Sequence, residues 1–156
     1  MIRLKRLVVE NIKNTHYGLI DFPESIGGGS MLGIYGQNGS GKTSIIDSAE
    51  CMKALMTGNP LPSGAKDLLT KGQEHLIISY SFDLLGSVSV CGESAAVTYR
   101  AELAMRESSV RVIEETLSFT RGESSKRNLI VHSVAGQDGN EDASVAFATS
   151  RPVDRW

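Results

Sequence analysis

Histidine and cysteine are too few and too scattered in this chain to build a metal centre. His16, His75 and His132 share no ligand spacing with one another or with Cys51 and Cys91, and the two cysteines show neither zinc nor redox spacing. They read as reduced, buried thiols, which places the chain in the cytoplasm. Serine is plentiful, yet no Gly-x-Ser-x-Gly elbow occurs, so the nucleophile-elbow hydrolases have no anchor here. Long apolar runs are missing too. After Met1-Ile2-Arg3-Leu4-Lys5-Arg6 only Leu7-Val8-Val9 precede Glu10, too little for a signal-peptide core, and no run approaches a membrane span. An excess of one charge is also absent: 16 Lys and Arg stand against 18 Asp and Glu, a net charge of −2. That excludes a surface that grips nucleic acid throughout, while leaving room for a local basic strip such as Arg3, Lys5, Arg6 and Lys13.

What remains is an ordinary globular composition, 40% hydrophobic and 22% charged over 156 residues. This is enough for one domain or for one lobe of a larger one. In the first segment Ile2 and Leu4 share a face, and Leu7 and Val9 share one only if the strand slips a residue at Lys5-Arg6, so a bulge is expected there. Asn14-Thr15-His16-Tyr17-Gly18 reads as a turn and Leu19-Ile20-Asp21-Phe22 as an antiparallel return strand. Gly27-Gly28-Gly29-Ser30 is a flexible link.

The next stretch is the most specific in the chain. Gly36-Gln37-Asn38-Gly39-Ser40-Gly41-Lys42-Thr43 fits Gly-x-x-x-x-Gly-Lys-Ser/Thr at every fixed position. Met31-Leu32-Gly33-Ile34-Tyr35 before it reads as a short buried strand, and Ser44-Ile45-Ile46-Asp47 after it opens a helix. The three glycines let the backbone turn its amides inward around a phosphate. The first amides of the helix lack intrahelical partners, and the helix dipole adds partial positive charge at that end. The candidate nucleotide site is therefore residues 36–44, with Lys42 reaching the β- and γ-phosphates and the Thr43 hydroxyl holding Mg²⁺.

In the helix, Ile45, Ala49, Met52 and Met56 recur at spacings of four, three and four, which predicts that this stripe is buried. Gly58 and Pro60 stop it. Residues 65–70 read as a short helical turn. The period then changes from helix to strand. Ile78, Tyr80, Phe82 and Leu84 alternate with Ser79, Ser81 and Asp83, and Val97, Tyr99, Ala101, Leu103 and Met105 alternate with polar residues. Two more strands are read at residues 110–119 and 129–134. Their short polar links predict an antiparallel meander with one wet face. No second βαβ unit and no Asn-Lys-x-Asp appear, which speaks against a GTPase or a small kinase.

Residues 1–57 together resemble the N-terminal ATPase segment of the SMC/RecF/OLD group of ABC-type ATPases. The residues that carry the likeness are Glu10-Asn11-Ile12-Lys13-Asn14, Leu19-Ile20-Asp21-Phe22, the phosphate loop, and Ser44-Ile45-Ile46-Asp47-Ser48. The resemblance implies an α/β P-loop NTPase fold, an ABC-ATPase-like lobe I with an antiparallel β-meander after its first helix. The residue pattern divides the chain into a lobe over residues 1–134 (strand pair, loop and helix to 74, antiparallel region from 75) and a flexible or truncated tail over 135–156. The resemblance also implies ATP and Mg²⁺ as cofactors, with Lys13 and Asn14 near the base or ribose, and a role in DNA repair or, on the OLD side, phage defence.

Three departures limit that expectation. No apolar strand ends in Asp-Glu, no Leu-Ser-Gly-Gly signature is present, and neither Gln73 nor Gln137 sits in a metal-sensing context. Phosphoryl transfer depends on charge placed around the metal and the in-line water. The expected function is thus an ATP-binding lobe whose hydrolysis requires a missing C-terminal half or a second ATPase subunit, with DNA as a partner left open and no membrane. The alternative is a nucleotide-gated interaction module that binds ATP without consuming it. Incompleteness further predicts a free edge, or a makeshift neighbour, for residues 31–35, with apolar surface exposed beside them.

Overall fold

The computed structural model describes residues 2–22, 32–84, 95–106, 109–121, 127–134 and 143–146. The glycine link at 27–30, Met31, Cys91 and the connections at 107–108 and 122–125 lie outside these. The strands are β1 (Ile2–Ile12), β2 (Thr15–Asp21), β3 (His75–Leu84), β4 (Ala95–Arg106), β5 (Ser109–Arg121), β6 (Arg127–Val134) and β7 (Ala143–Ala146). They form one antiparallel sheet in the order β2-β1-β3-β4-β5-β6-β7. Among the described residues there is one α-helix, α1 (Lys42–Met56), and a 3-10 turn at Ser63–Asp67. The meander expected after the helix is present.

β1 is the strand on which the rest is laid. It pairs with β2 on one side and β3 on the other, and its register shifts between Leu4 and Arg6. Lys5 is the extra residue. The bulge lets Leu4 stay on the core side while Leu7 and Val9, each 2% exposed, follow in phase beyond it. The core is a single layer between this sheet and α1, built from residues such as Leu7, Val9, Ile78, Met52 and Leu103. Each such side chain contributes about 1.5–3 kcal/mol when removed from water.

Four expectations change in detail. The β1–β2 turn is tighter than the sequence indicates: Ile12 pairs with Thr15, so β2 starts at Thr15 and not at Leu19. Lys13 makes the reversal at φ 52, a left-handed conformation that a non-glycine residue holds only with help from its surroundings. That help is visible. The Lys13 amide donates to the Leu68 carbonyl at 2.6 Å, and the Thr70 hydroxyl donates to the Lys13 carbonyl at 2.7 Å.

The buried face of α1 is also rotated from the expected one. Ala49 and Met56 are exposed, and the residues turned inward include Ser44, Ser48, Cys51 and Met52. These recur at four, three and one, also a helical face, but the serines hid it from a count of apolar residues. Their small side chains let α1 come close to the sheet, and the Ser48 and Tyr80 hydroxyls share a hydrogen bond of 3.2 Å. The stop is as expected. Gly58 takes φ 67, its amide donates to Leu55, and the Asn59 amide donates to Ala54.

Residues 32–35 do not form a buried strand. They have no strand assignment, and Leu32, Ile34 and Tyr35 are exposed, Tyr35 at 94%. A strand needs a neighbour to take its amides and carbonyls, and none of the described strands pairs with this segment. Apolar surface is exposed here, as expected of an unpartnered segment. Finally, β7 falls inside the stretch read as tail. Its Ala-Ser-Val-Ala sequence carries little periodicity, and its pairing with β6 gives it order that no local signal announces.

Candidate functional site, a phosphate-binding loop

The loop between residue 35 and α1 is a chain of tight turns. Gly39 and Gly41 adopt φ 83 and 88, values that L side chains rarely take. The Ser40 amide donates back to Gln37 at 3.2 Å, and the Ser44 amide donates to Gly41 at 3.1 Å. Gly41 is the N-cap of α1. It supplies no side-chain cap, and the first turn of the helix contains no acidic residue. The partial positive charge at this helix end is therefore unopposed from within the helix, which suits an anion.

Lys42 folds back over the loop. Its ammonium donates to the carbonyls of Gly36 and Gln37, both at 2.6 Å, and this clamps the entrance of the loop to its exit. A Cβ on Gly36 would stand 2.7 Å from Ser40 Oγ, so a side chain there would have to turn the Ser40 hydroxyl aside. Thr43 is exposed, whereas Ser44 is 2% exposed and faces inward.

The β1–β2 hairpin tip comes to the same place from the sheet. Asn14 Nδ2 lies 3.5 Å from the Gly39 carbonyl, and Thr15 packs against Gly41. Lys13 Nζ is ion-paired with Asp47 on α1. Together these elements border a cleft of about 340 Å³ whose lining includes Lys13, Asn14, Asn38, Lys42, Thr43 and Ser44. A larger cleft of about 790 Å³ adjoins it, sharing Lys13 and Asn14 and adding His16, Lys66, Thr70 and Lys71 among others. The structure thus brings the loop residues together with Lys13 and Asn14. Thr15 and the 66–71 segment were not marked in the sequence, because their proximity depends on hairpin register and on the Ile12–Leu69 bridge.

The amino-terminal basic strip is not a free electropositive face. Arg3 and Lys5 both contact Asp83, at 3.0 and 3.3 Å. Arg6 donates to both oxygens of Asp21, at 2.5 and 3.0 Å, and Lys13 is held by Asp47. The hydrogen bonds from Arg6 hold the Asp21 carboxyl below its ordinary range. Four cations thus face three carboxylates, Arg3 and Lys5 sharing Asp83.

Cys51, on the buried side of α1, has its thiol pushed up to about 11 by burial, reinforced by the nearby Asp47 and Glu50 charges. It is a packing residue and no nucleophile. No helix among the described residues is long and apolar enough to cross a membrane.

A family model described as an AAA domain matches residues 6–147. Among curated proteins, the DNA replication and repair protein RecF of Chlorobium luteolum is 34% identical over 96 residues, 62% of this chain and 23% of the relative. The DNA replication and repair protein RecF of Deinococcus radiodurans is 29% identical over 89 residues, 57% of this chain and again 23% of the relative. The matched stretch is less than a quarter of the length of these relatives.

Proposed function

The chain belongs to the AAA-domain family, and from that premise we propose that it is the ATP-binding lobe of an SMC/RecF/OLD-like ATPase. In this reading the amides of residues 36–43 surround the phosphates and Lys42 leaves its two carbonyls to meet the β- and γ-phosphates. The observation that carries the reading is the conformation of the loop: left-handed Gly39 and Gly41 lead into a helix end with no side-chain cap and no acidic residue in its first turn. The same features suit Mg²⁺ bound with the nucleotide. The exposed Thr43 hydroxyl on the cleft wall would be its protein ligand, and the metal would neutralise phosphate charge.

Hydrolysis is assigned to the complete ATPase. Among the described residues the carboxylate nearest to the loop in the helix, Asp47, is already ion-paired with Lys13. No Asp-Glu pair stands at a strand end in this sequence. The same observation supports a second reading, a nucleotide-gated interaction module in which ATP orders the loop and is not consumed. DNA as a partner follows from the relatives' names alone, which favour repair over phage defence. Arg3 and Lys5 share Asp83 and Arg6 pairs with Asp21, so the strip is largely neutralised and gives a DNA contact little support.

Titration of the 156-residue chain with Mg-ATP tests the reading. Binding is expected and is lost in Lys42→Ala, with turnover near background. Binding that survives Lys42→Ala would overturn the site assignment, and clear turnover would overturn the division of labour. A partner whose affinity is the same with and without ATP would dismiss the gated module.

A further inference from the structure

We propose that Asp47 and Lys13 form a latch on the phosphate site, Asp47 holding the Lys13 ammonium until a polyphosphate takes it over. The inference rests on the nucleotide reading above and adds a phosphate contact and its regulation.

The backbone of Lys13 is fixed from both sides, by the Leu68 carbonyl and the Thr70 hydroxyl, and is held at a left-handed φ. Only the side chain is left to move. It lies on the wall of the phosphate cleft and also borders the adjoining larger one. Its partner Asp47 stands four residues after Thr43, one turn further along the same side of α1. Both side chains are partly exposed, Lys13 at 35% and Asp47 at 22%. The pair is therefore solvated enough to exchange partners without the cost of a fully buried charge.

The charges make the exchange favourable. A nucleoside triphosphate brings a denser negative charge than a single carboxylate. A lysine on a fixed hairpin tip can swing to it through side-chain torsions alone. Lys13 is then a phosphate-binding residue and Asp47 a positioning residue that acts through it.

The test is a double-mutant cycle read by Mg-ATP affinity, with Lys42→Ala as the control for the site itself. Lys13→Gln should weaken binding about tenfold, the loss of one charge-assisted contact. Asp47→Asn should tighten it, since the ammonium is released. Both substitutions break the same ion pair, so damage to the hairpin would move the two in the same direction. A field effect of two independent charges would be additive, and the double variant would return to wild-type affinity. The latch requires that Asp47→Asn give less than about a twofold gain once Lys13 is gone, and that Lys13→Arg recover most of the loss. Shifts of the same sign, no gain in Asp47→Asn, or an additive double variant would each overturn the latch while Mg-ATP binding persists. Absence of Mg-ATP binding in the unmodified chain would instead overturn the nucleotide reading itself.

Discussion

Thr15 and Gly41 meet where the first hairpin touches the phosphate loop, so closely that a Cβ on Gly41 would overlap the Thr15 hydroxyl. Gly41 also sits at φ 88, where any L side chain is strained. Gly41→Ala should therefore cost about 1–3 kcal/mol in stability and abolish Mg-ATP binding. Thermal melts and nucleotide titration check this. Adding Thr15→Ala should recover part of the melting temperature, because it removes the overlap but not the strain.

The contact between α1 and the sheet depends on a small side chain at Ser48, which is fully buried and shares a hydrogen bond with Tyr80. Ser48→Leu should destabilise by about 1–3 kcal/mol through overpacking. Tyr80→Phe should cost only about 1 kcal/mol, since Ser48 Oγ keeps its bond to the Ile45 carbonyl. Chemical denaturation of the two variants would show the ranking; equal losses would mean that the helix is not tightly seated.

Stability should fall in alkali through a nameable group. The Cys51 thiol ionises at about 11 in the fold against an ordinary value of 9.0, so the unfolded chain loses that proton first. Its contribution is complete below pH 9.0 and disappears as the pH rises towards about 11. The melting temperature of Cys51→Ala, although lower overall, should decline less across this window. A thiol reagent at neutral pH should label Cys51 slowly in the native chain and quickly after denaturation.

Freeing the basic strip should raise the chain's affinity for nucleic acid. Asp21→Asn with Asp83→Asn would release Arg6, Lys5 and Arg3 from their carboxylates. DNA retention should rise in low salt and vanish as salt is added, as counterion release requires. Equal retention by the native chain would show that the aspartates do not neutralise the strip.

The parts legible in the sequence were those governed by local chemistry. The phosphate loop is a run of residues whose spacing is the mechanism, and the slip at Lys5-Arg6 followed from the phase of Leu4 against Leu7. The meander was readable from alternation at residues such as Ile78 and Tyr80. What failed depended on partners distant in the chain. Residues 32–35 have the composition of a buried strand but no neighbour among the described residues, and the inward face of α1 includes serines, of which Ser48 bonds to Tyr80. Lys13 was marked for the nucleotide, but its pairing with Asp47 emerges only when hairpin and helix are set side by side.

Every adjacent pair of strands in the sheet is also consecutive in sequence, with one exception: β1 lies beside β3. The phosphate loop and α1 thus lie on an excursion that leaves the sheet after β2 and returns along β1, first at the Ile12–Leu69 bridge and then through the β1–β3 pairing. The loop-closure entropy of bringing those ends together falls on contacts made by β1. Opening them would release loop and helix while the later hairpins stayed zipped. Amide exchange in β1 should consequently report the integrity of the nucleotide cleft more directly than exchange anywhere in β4 or β5.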